Sequence, residues 1–310
     1  MFAFAFSVTA PIFLMVLLGV VLKRGRVIDD AFIVTVSKLI YMVGLPTLLF
    51  ISSATSDFTQ MADMRLLMAF GVMTLVVFFF AQATAHWHVQ HKQDVGVFVQ
   101  GAFRGNLVIL GLAFCANAYG PRGVAIAALP VAMTVVMYNF LSVYTLSRSL
   151  ESENGFGKTV KGIVRNPLLI AIALGLVVNA VGLPLPKLLL DSGSYLGQMV
   201  LPLALICIGG ALNLKQLHRV DRVAAAASVW KLLVSPLLAC TLAIGLGVRG
   251  ENLAILFLLA ASPTATVSFA MVQAIGGNAT LAANIIVQTT LASLLTVTLG
   301  LWLLQVCQLL

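Results

Sequence analysis

The stretch Leu258-Leu-Ala-Ala-Ser-Pro-Thr-Ala-Thr-Val-Ser-Phe269 interrupts an otherwise apolar run. It holds Pro263 and four hydroxyls, on Ser262, Thr264, Thr266 and Ser268. A helix that faces lipid has no use for them. Proline removes one backbone hydrogen bond and obstructs the preceding turn. Freed backbone groups are tolerated at membrane depth only inside protein or beside a wet cavity. For Pro263 taken alone, a simple kink with hydroxyls bonded back to carbonyls is a competing reading.

The rest of the chain sets the environment of that stretch. Of 310 residues, 61% are hydrophobic and 9% charged, where a soluble domain carries about 25% charged residues. Ten apolar stretches lie near 3–22, 32–53, 64–85, 95–118, 123–147, 164–181, 194–213, 223–246, 252–275 and 279–306. Each is about long enough to cross a hydrocarbon core of about 30 Å. The expected fold is an all-α polytopic membrane protein of ten transmembrane helices. A soluble fold would need ten fully buried helices and almost no surface.

The net charge of +8 does not mark a nucleic-acid binder, because of where the charges fall. With an exported amino terminus, the cytoplasmic side holds Lys23, Arg24, Arg26, Lys92, Arg148, Lys158, Lys161, Arg165, Lys215, Arg219 and Arg222. The opposite side holds Arg65, Arg122, Lys187 and Arg249. This positive-inside excess places both termini on the non-cytoplasmic side of the cell membrane. The first span lacks a basic leader and is read as a retained helix, not a cleaved signal. Cys115, Cys207, Cys240 and Cys307 have no metal-like spacing and read as small packing residues.

The chain repeats itself. Met42-Val-Gly-Leu-Pro46 in the second span matches Met199-Val-Leu-Pro202 in the seventh, the prolines standing 156 positions apart. Asn139 to Leu146 in the fifth span matches Ser293 to Gly300 in the tenth, at an offset of 154. Five spans per copy is an odd number, so the second copy enters from the opposite side. The expected organisation is a first repeat over 1–148, a short cytoplasmic linker over 149–162, and an inverted second repeat over 163–310.

The same offset carries the opening stretch onto Phe103-Arg-Gly-Asn-Leu-Val-Ile-Leu-Gly111 in the fourth span. Arg104, Gly105, Asn106 and Gly111 interrupt one helix where Pro263, Thr264, Thr266 and Ser268 interrupt its counterpart. Two broken helices at symmetry-related places point to a midplane binding site. The amino ends of their second halves would offer free N–H groups to an anion.

Three cations lie within spans away from their ends. Arg104 is deep enough that burying it costs about 2.5–3.5 kcal/mol, so a functional role competes with snorkelling to the interface. Lys231 could neutralise a carbonyl cluster, draw an anion or snorkel; Lys38 reads as snorkelling. Asn139, Asn284 and Gln288 line the same cavity or act as interhelical glue. All ten acids (Asp29, Asp30, Asp57, Asp63, Asp94, Glu151, Glu153, Asp191, Asp221, Glu251) fall in loops or at span ends. That disfavours a buried-aspartate proton antiporter, a cation pathway and a magnesium-dependent transferase. His86, His88 and His91 read as a solvated loop rather than a metal site, and His218 stands alone.

At Arg104-Gly-Asn106 with Gly111, and at Ala260-Ala-Ser-Pro263 running on to Gly276-Gly-Asn278, the sequence resembles the auxin efflux carrier family, bacterial permeases related to the plant PIN carriers. The resemblance covers nearly the whole chain and includes the Leu-Pro turns at Pro46 and Pro202. It implies a scaffold of spans 1, 2, 6 and 7, a transport domain of spans 3–5 and 8–10, crossing fourth and ninth helices, and a homodimer through the scaffold. Asn106 falls on the family's polar position and Pro263 on a family proline. Ala113 and Ser268 stand where the plant carriers have further prolines. A small carboxylate such as malate or malonate is the implied substrate.

The functional expectation is a secondary permease for a small organic anion, of elevator or rocking type, with no enzymatic chemistry, metal or cofactor. Asn106, Thr264, Thr266 and Ser268 would bond the carboxylate. Arg104 would add charge, and Pro46, Thr47 and Pro202 would shape the scaffold wall. The alternatives are a sodium-coupled symporter of bile-acid-carrier type and a non-transporting membrane receptor. The coupling ion, sodium or proton, is left open.

Overall fold

Apolar runs without strand-like alternation dictate helices, and every regular element among the described residues is helical. The structure, a computed structural model, describes residues 2–55, 64–150, 167–212 and 221–310. In chain order the helices are α1 (Phe2–Arg24), α2 (Asp30–Thr55), α3 (Met64–His88), α4 (Lys92–Phe103), α5 (Leu107–Leu150) and α6 (Pro167–Val181). They continue with α7 (Lys187–Ala211), α8 (Arg222–Gly245), α9 (Gly250–Ala260), α10 (Val267–Ile275) and α11 (Ala279–Val306). Seven of these, α1, α2, α3, α5, α7, α8 and α11, are long and apolar enough to cross a membrane alone.

The remaining helices are short: α6 and α9 are apolar, while α4 and α10 have 12 and 9 residues. The stretches read as the fourth and ninth spans are each divided between two helices. Most of the 149–162 linker lies outside the described residues, as do Asp57, Asp63, Lys215, Arg219 and His218.

Local breaks follow local chemistry. In α2 a π-helical turn, Ile40–Gly44, precedes Pro46, and in α8 another, Trp230–Val234, precedes Pro236. Each wider turn makes room for a ring that would otherwise collide with the carbonyl four residues back. The acids at helix starts act as caps. Asp29 accepts from the Phe32 N–H at 2.7 Å, and Asp221 accepts from Val223 at 2.9 Å, filling orphan donors of a first turn.

Small residues set the closest helix contacts. α1 lies against α7, where a Cβ on Gly19 or Gly209 would run into the backbone of the other helix. α2 lies against α6, and Asn179 donates to the Ala54 carbonyl at 3.0 Å. Close backbone approach of this kind is how helices associate where lipid removes the hydrophobic drive. Outward-facing Phe6, Leu14, Leu17 and Val21 on α1 are exposed, which suits acyl chains and would be an aggregation hazard in water.

Within α5, Gly120 has φ +60° and ψ −148°, a combination essentially closed to side chains with a Cβ. The chain turns there between the residues read as the fourth and fifth spans, and Pro121 follows in a position where its missing N–H costs nothing. A Cβ at Gly120 would meet no atom within 4 Å, so any effect of adding one is conformational. Gly120→Ala is expected to lower stability by about 1–3 kcal/mol, read as a lower melting temperature in detergent. Gly245→Ala, equally open and in ordinary helix, is expected not to lower it.

Candidate functional site

The two interrupted segments meet. Residues 104–106, between α4 and α5, run antiparallel to 263–265, between α9 and α10, with Gly105 facing Thr264. Two main-chain bonds join them: the Asn106 N–H donates to the Pro263 carbonyl at 2.7 Å, and the Ala265 N–H donates to the Arg104 carbonyl at 3.0 Å. Arg104 has extended dihedrals, φ −82° and ψ 99°. Groups that a helix would have paired internally are thus paired with the other break, as burial away from water demands.

Side chains lock this junction from behind. The Thr264 hydroxyl donates to the Gly101 carbonyl at 2.8 Å, and the Thr264 N–H donates to Thr289 Oγ1 at 3.1 Å. The Gly111 N–H donates to the Asn106 carbonyl at 2.9 Å, closing the first, π-helical turn of α5. Gly105 is where the packing is tightest. A Cβ there would stand 2.7 Å from Ser262 Oγ and 3.1 Å from Lys231 Nζ.

In front of the junction is a cavity of about 400 Å³. Its polar wall comprises Arg104, Gly105, Asn106, Asn139 and Thr266; the first residues of α5 and α10 also contribute. The facing wall comes from α2 and α7 and is mostly apolar, with Ile33, Leu45, Ala204 and Cys207, though Ser37 and Tyr41 also line it. The amino-terminal turns of both α5 and α10 therefore border one space. The first N–H groups of α5 have no intrahelical acceptor, those of Ser268 and Phe269 in α10 donate to the Ala265 and Thr266 carbonyls at 3.0 and 3.2 Å, and the helix dipoles add positive potential there.

Arg104 is buried and paired only with neutral acceptors. One terminal nitrogen donates to the Tyr138 carbonyl and to Ser142 Oγ, both at 3.0 Å, and the other donates to Asn139 Oδ1 at 2.9 Å. Its guanidinium lies 6.0 Å from the Tyr138 ring centroid. No carboxylate among the described residues forms an ion pair with it. Arg104 Nε and Asn106 Nδ2 are buried without a partner among the described residues. The wall is thus rich in donors and carries uncompensated positive charge, and what such a surface can hold is an anion.

The sequence-derived residues divide into those at the cavity and those elsewhere. Arg104, Gly105, Asn106, Asn139 and Thr266 come together at the cavity. Pro263, Thr264 and Gly111 build the junction without lining it. Ser268 is buried and its hydroxyl is unpartnered, away from the cavity wall. Asn284 is buried on α11 with its Oδ1 unpartnered among the described residues, Gln288 accepts from Ser228 at 3.4 Å, and neither lines the cavity. Thr47 donates to the Val43 carbonyl at 2.8 Å. Pro46 follows the π turn of α2, and Pro202 borders a second cavity of about 630 Å³, together with Thr55, Arg122 and Gly193. Lys231 is fully buried behind Gly105.

Sequence reasoning missed Tyr138 and Ser142, the other partners of Arg104. They lie four apart on α5 with Asn139 between them, a spacing that shares one helix face. It also missed Tyr41 and Cys207 on the facing wall, which carry no polar-motif signal.

A helical membrane protein with two broken helices paired at a donor-lined cavity has the build of a transporter. The chain matches the family described as "membrane transport protein" over residues 4–301 and belongs to that family, the auxin efflux carriers. It is also similar to a protein of Methanothermobacter thermautotrophicus described as an "uncharacterized transporter", 27% identical over 299 residues, covering 94% of this chain and 95% of the relative. The protein is thus an integral membrane protein of a transporter family.

Thr264 tests the junction directly. Thr264→Val keeps the shape and removes the bond to Gly101, leaving that buried carbonyl unpaired. The expected cost is about 1–3 kcal/mol, read in a melting experiment in detergent.

Proposed function

We propose that the chain is a secondary carrier for a small organic anion, a mono- or dicarboxylate, working by alternating access of the elevator type. The observation that carries the reading is the cavity of about 400 Å³ walled by Arg104, Asn106 and two helix amino ends. Its size falls in the range of small-ligand pockets, about 300–1,000 Å³. Asn106 Nδ2, the Thr266 hydroxyl and first-turn N–H groups of α5 donate to the carboxylate. Arg104 supplies positive potential and is positioned by Asn139, Ser142 and Tyr138. A carrier must also release its cargo, so these bonds are few and the facing wall is mostly apolar.

In this reading the chain crosses the membrane ten times. α4 with the start of α5 makes one crossing, and α9 with α10 makes another. The halves 1–148 and 163–310 are inverted repeats. α1, α2, α6 and α7 form a scaffold, supported by the packing of α1 on α7 and α2 on α6. α3–α5 and α8–α11 form the body that moves. The charge bias puts Arg24 and Asp30 at the cytoplasmic face. The site cavity, bordered by Ile33, Ser37 and Ala211, then opens inward. The cavity at Thr55, Gly193 and Arg122 then lies on the outer side.

Asn106→Ala is expected to lower carboxylate uptake into proteoliposomes about tenfold to a hundredfold, the worth of a hydrogen bond to a charged group. Its melting temperature should stay near that of the parent, because the main-chain bond from residue 106 to Pro263 survives the substitution. Unchanged uptake would contradict the assignment.

A further inference from the structure

Lys231 has no part in the site just described. It is completely buried, and neither cavity is lined by it. Its Nζ donates to the Ala260 carbonyl at 2.7 Å, and Ala260 is the last residue of α9. α4 ends at Phe103, one residue before the junction. The carboxyl-terminal ends of both first half-helices therefore converge on the side of the junction away from the cavity. Such ends carry orphan carbonyls and the negative pole of the helix dipole.

The ammonium is held by one carbonyl oxygen, that of Ala260, at 2.7 Å, with the Ser262 hydroxyl close by across Gly105. Ser262 Oγ and Lys231 Nζ both flank Gly105, where a Cβ would lie 2.7 Å from the first and 3.1 Å from the second. No carboxylate among the described residues pairs with the lysine. The nearby cation, Arg104, is committed in another direction, to Tyr138, Asn139 and Ser142 on α5. An ammonium has three donors in a compact point charge, and here a carbonyl at a helix end receives it.

We propose that Lys231 is a tethered counter-cation: from α8 it fills a monovalent-cation site formed behind the junction at the carboxyl end of α9, beside Gly105. The junction is then electrostatically divided. Positive helix ends face the cavity, and the carboxyl end of α9 is met by an amine tethered to α8. A free coupling cation would have to enter and depart in every cycle; a covalently attached one does not. The consequence for transport rests on the carrier reading above, whereas the cation site itself does not.

Two variants and the parent test this. Lys231→Ala opens the site, and Lys231→Met fills it without charge. Melting of the purified full chain is compared in chloride salts of sodium, methylammonium and the bulky N-methylglucamine at equal ionic strength. Lys231→Ala should melt a few degrees higher in sodium or methylammonium than in N-methylglucamine, while the parent and Lys231→Met should not distinguish the salts. In proteoliposomes the parent should take up carboxylate equally well with all sodium replaced by N-methylglucamine, and Lys231→Met should be slower by about tenfold or more.

A Lys231→Ala protein that melts alike in all salts would overturn the proposal. So would Lys231→Met uptake at the parental rate, or a sodium requirement in the parent. Should Lys231→Ala fail to fold in every salt, Lys231→Met uptake and the sodium test on the parent decide. A parent that moves no carboxylate sinks the carrier reading, and the melting comparison alone then decides the cation site.

Discussion

Two main-chain hydrogen bonds, from Asn106 to Pro263 and from Ala265 to Arg104, are what the rest of the structure depends on. An unpaired amide at membrane depth costs several kcal/mol, so neither helix could be interrupted there alone. Each break supplies the partner that the other lacks. Once they are paired, four helix ends are fixed at one point. The two amino ends border the cavity, and the α9 carboxyl end lies at the buried lysine. The charge pattern of the interior follows from the hydrogen-bond requirement.

That pattern explains why the polar residues of the interior are of such different kinds. Thr264 and Thr289 tie the junction to its own helices, and their hydroxyls are consumed in doing so. Asn106 keeps its amide nitrogen unpartnered while its backbone is fully engaged. Arg104 is held by three neutral acceptors on α5 and by no acid among the described residues, so its charge remains available to the cavity. The mostly apolar wall from α2 and α7 borders the site opposite the junction.

Much of this was legible in the sequence, and the reasons differ by residue. The break at Pro263 is written in its missing N–H, and that at Gly105 in the polar cluster Arg104-Gly-Asn106 amid apolar neighbours. Arg104 and Asn106 at the cavity follow from the cost of burying them. The hydroxyls were harder. Thr264, Thr266 and Ser268 alternate along one short segment and look alike as letters, yet only Thr266 borders the cavity. Thr264 lies in the extended break, Thr266 stands at the N-cap position of α10 and Ser268 sits in its first turn, so neither strand alternation nor helical spacing by itself sorts the three. Asn284 and Gln288 sit on α11 behind the junction because side-chain direction depends on helix rotation, which an apolar sequence with little periodic contrast does not encode. The division of the expected fourth span into α4 and the start of α5 was visible as a polar interruption. The reversal at Gly120 depends on a dihedral pair that only the folded chain displays.

The central claim is that the paired breaks present positive helix ends and donors to a negative guest. The most direct measurement is the melting temperature of the purified protein against a panel of mono- and dicarboxylates, each beside its uncharged amide, at constant ionic strength. The account predicts that one or more carboxylates raise the melting temperature in a saturable manner while the matched amides do not. Carboxylates without effect, with amides or other neutral compounds stabilising instead, would contradict it.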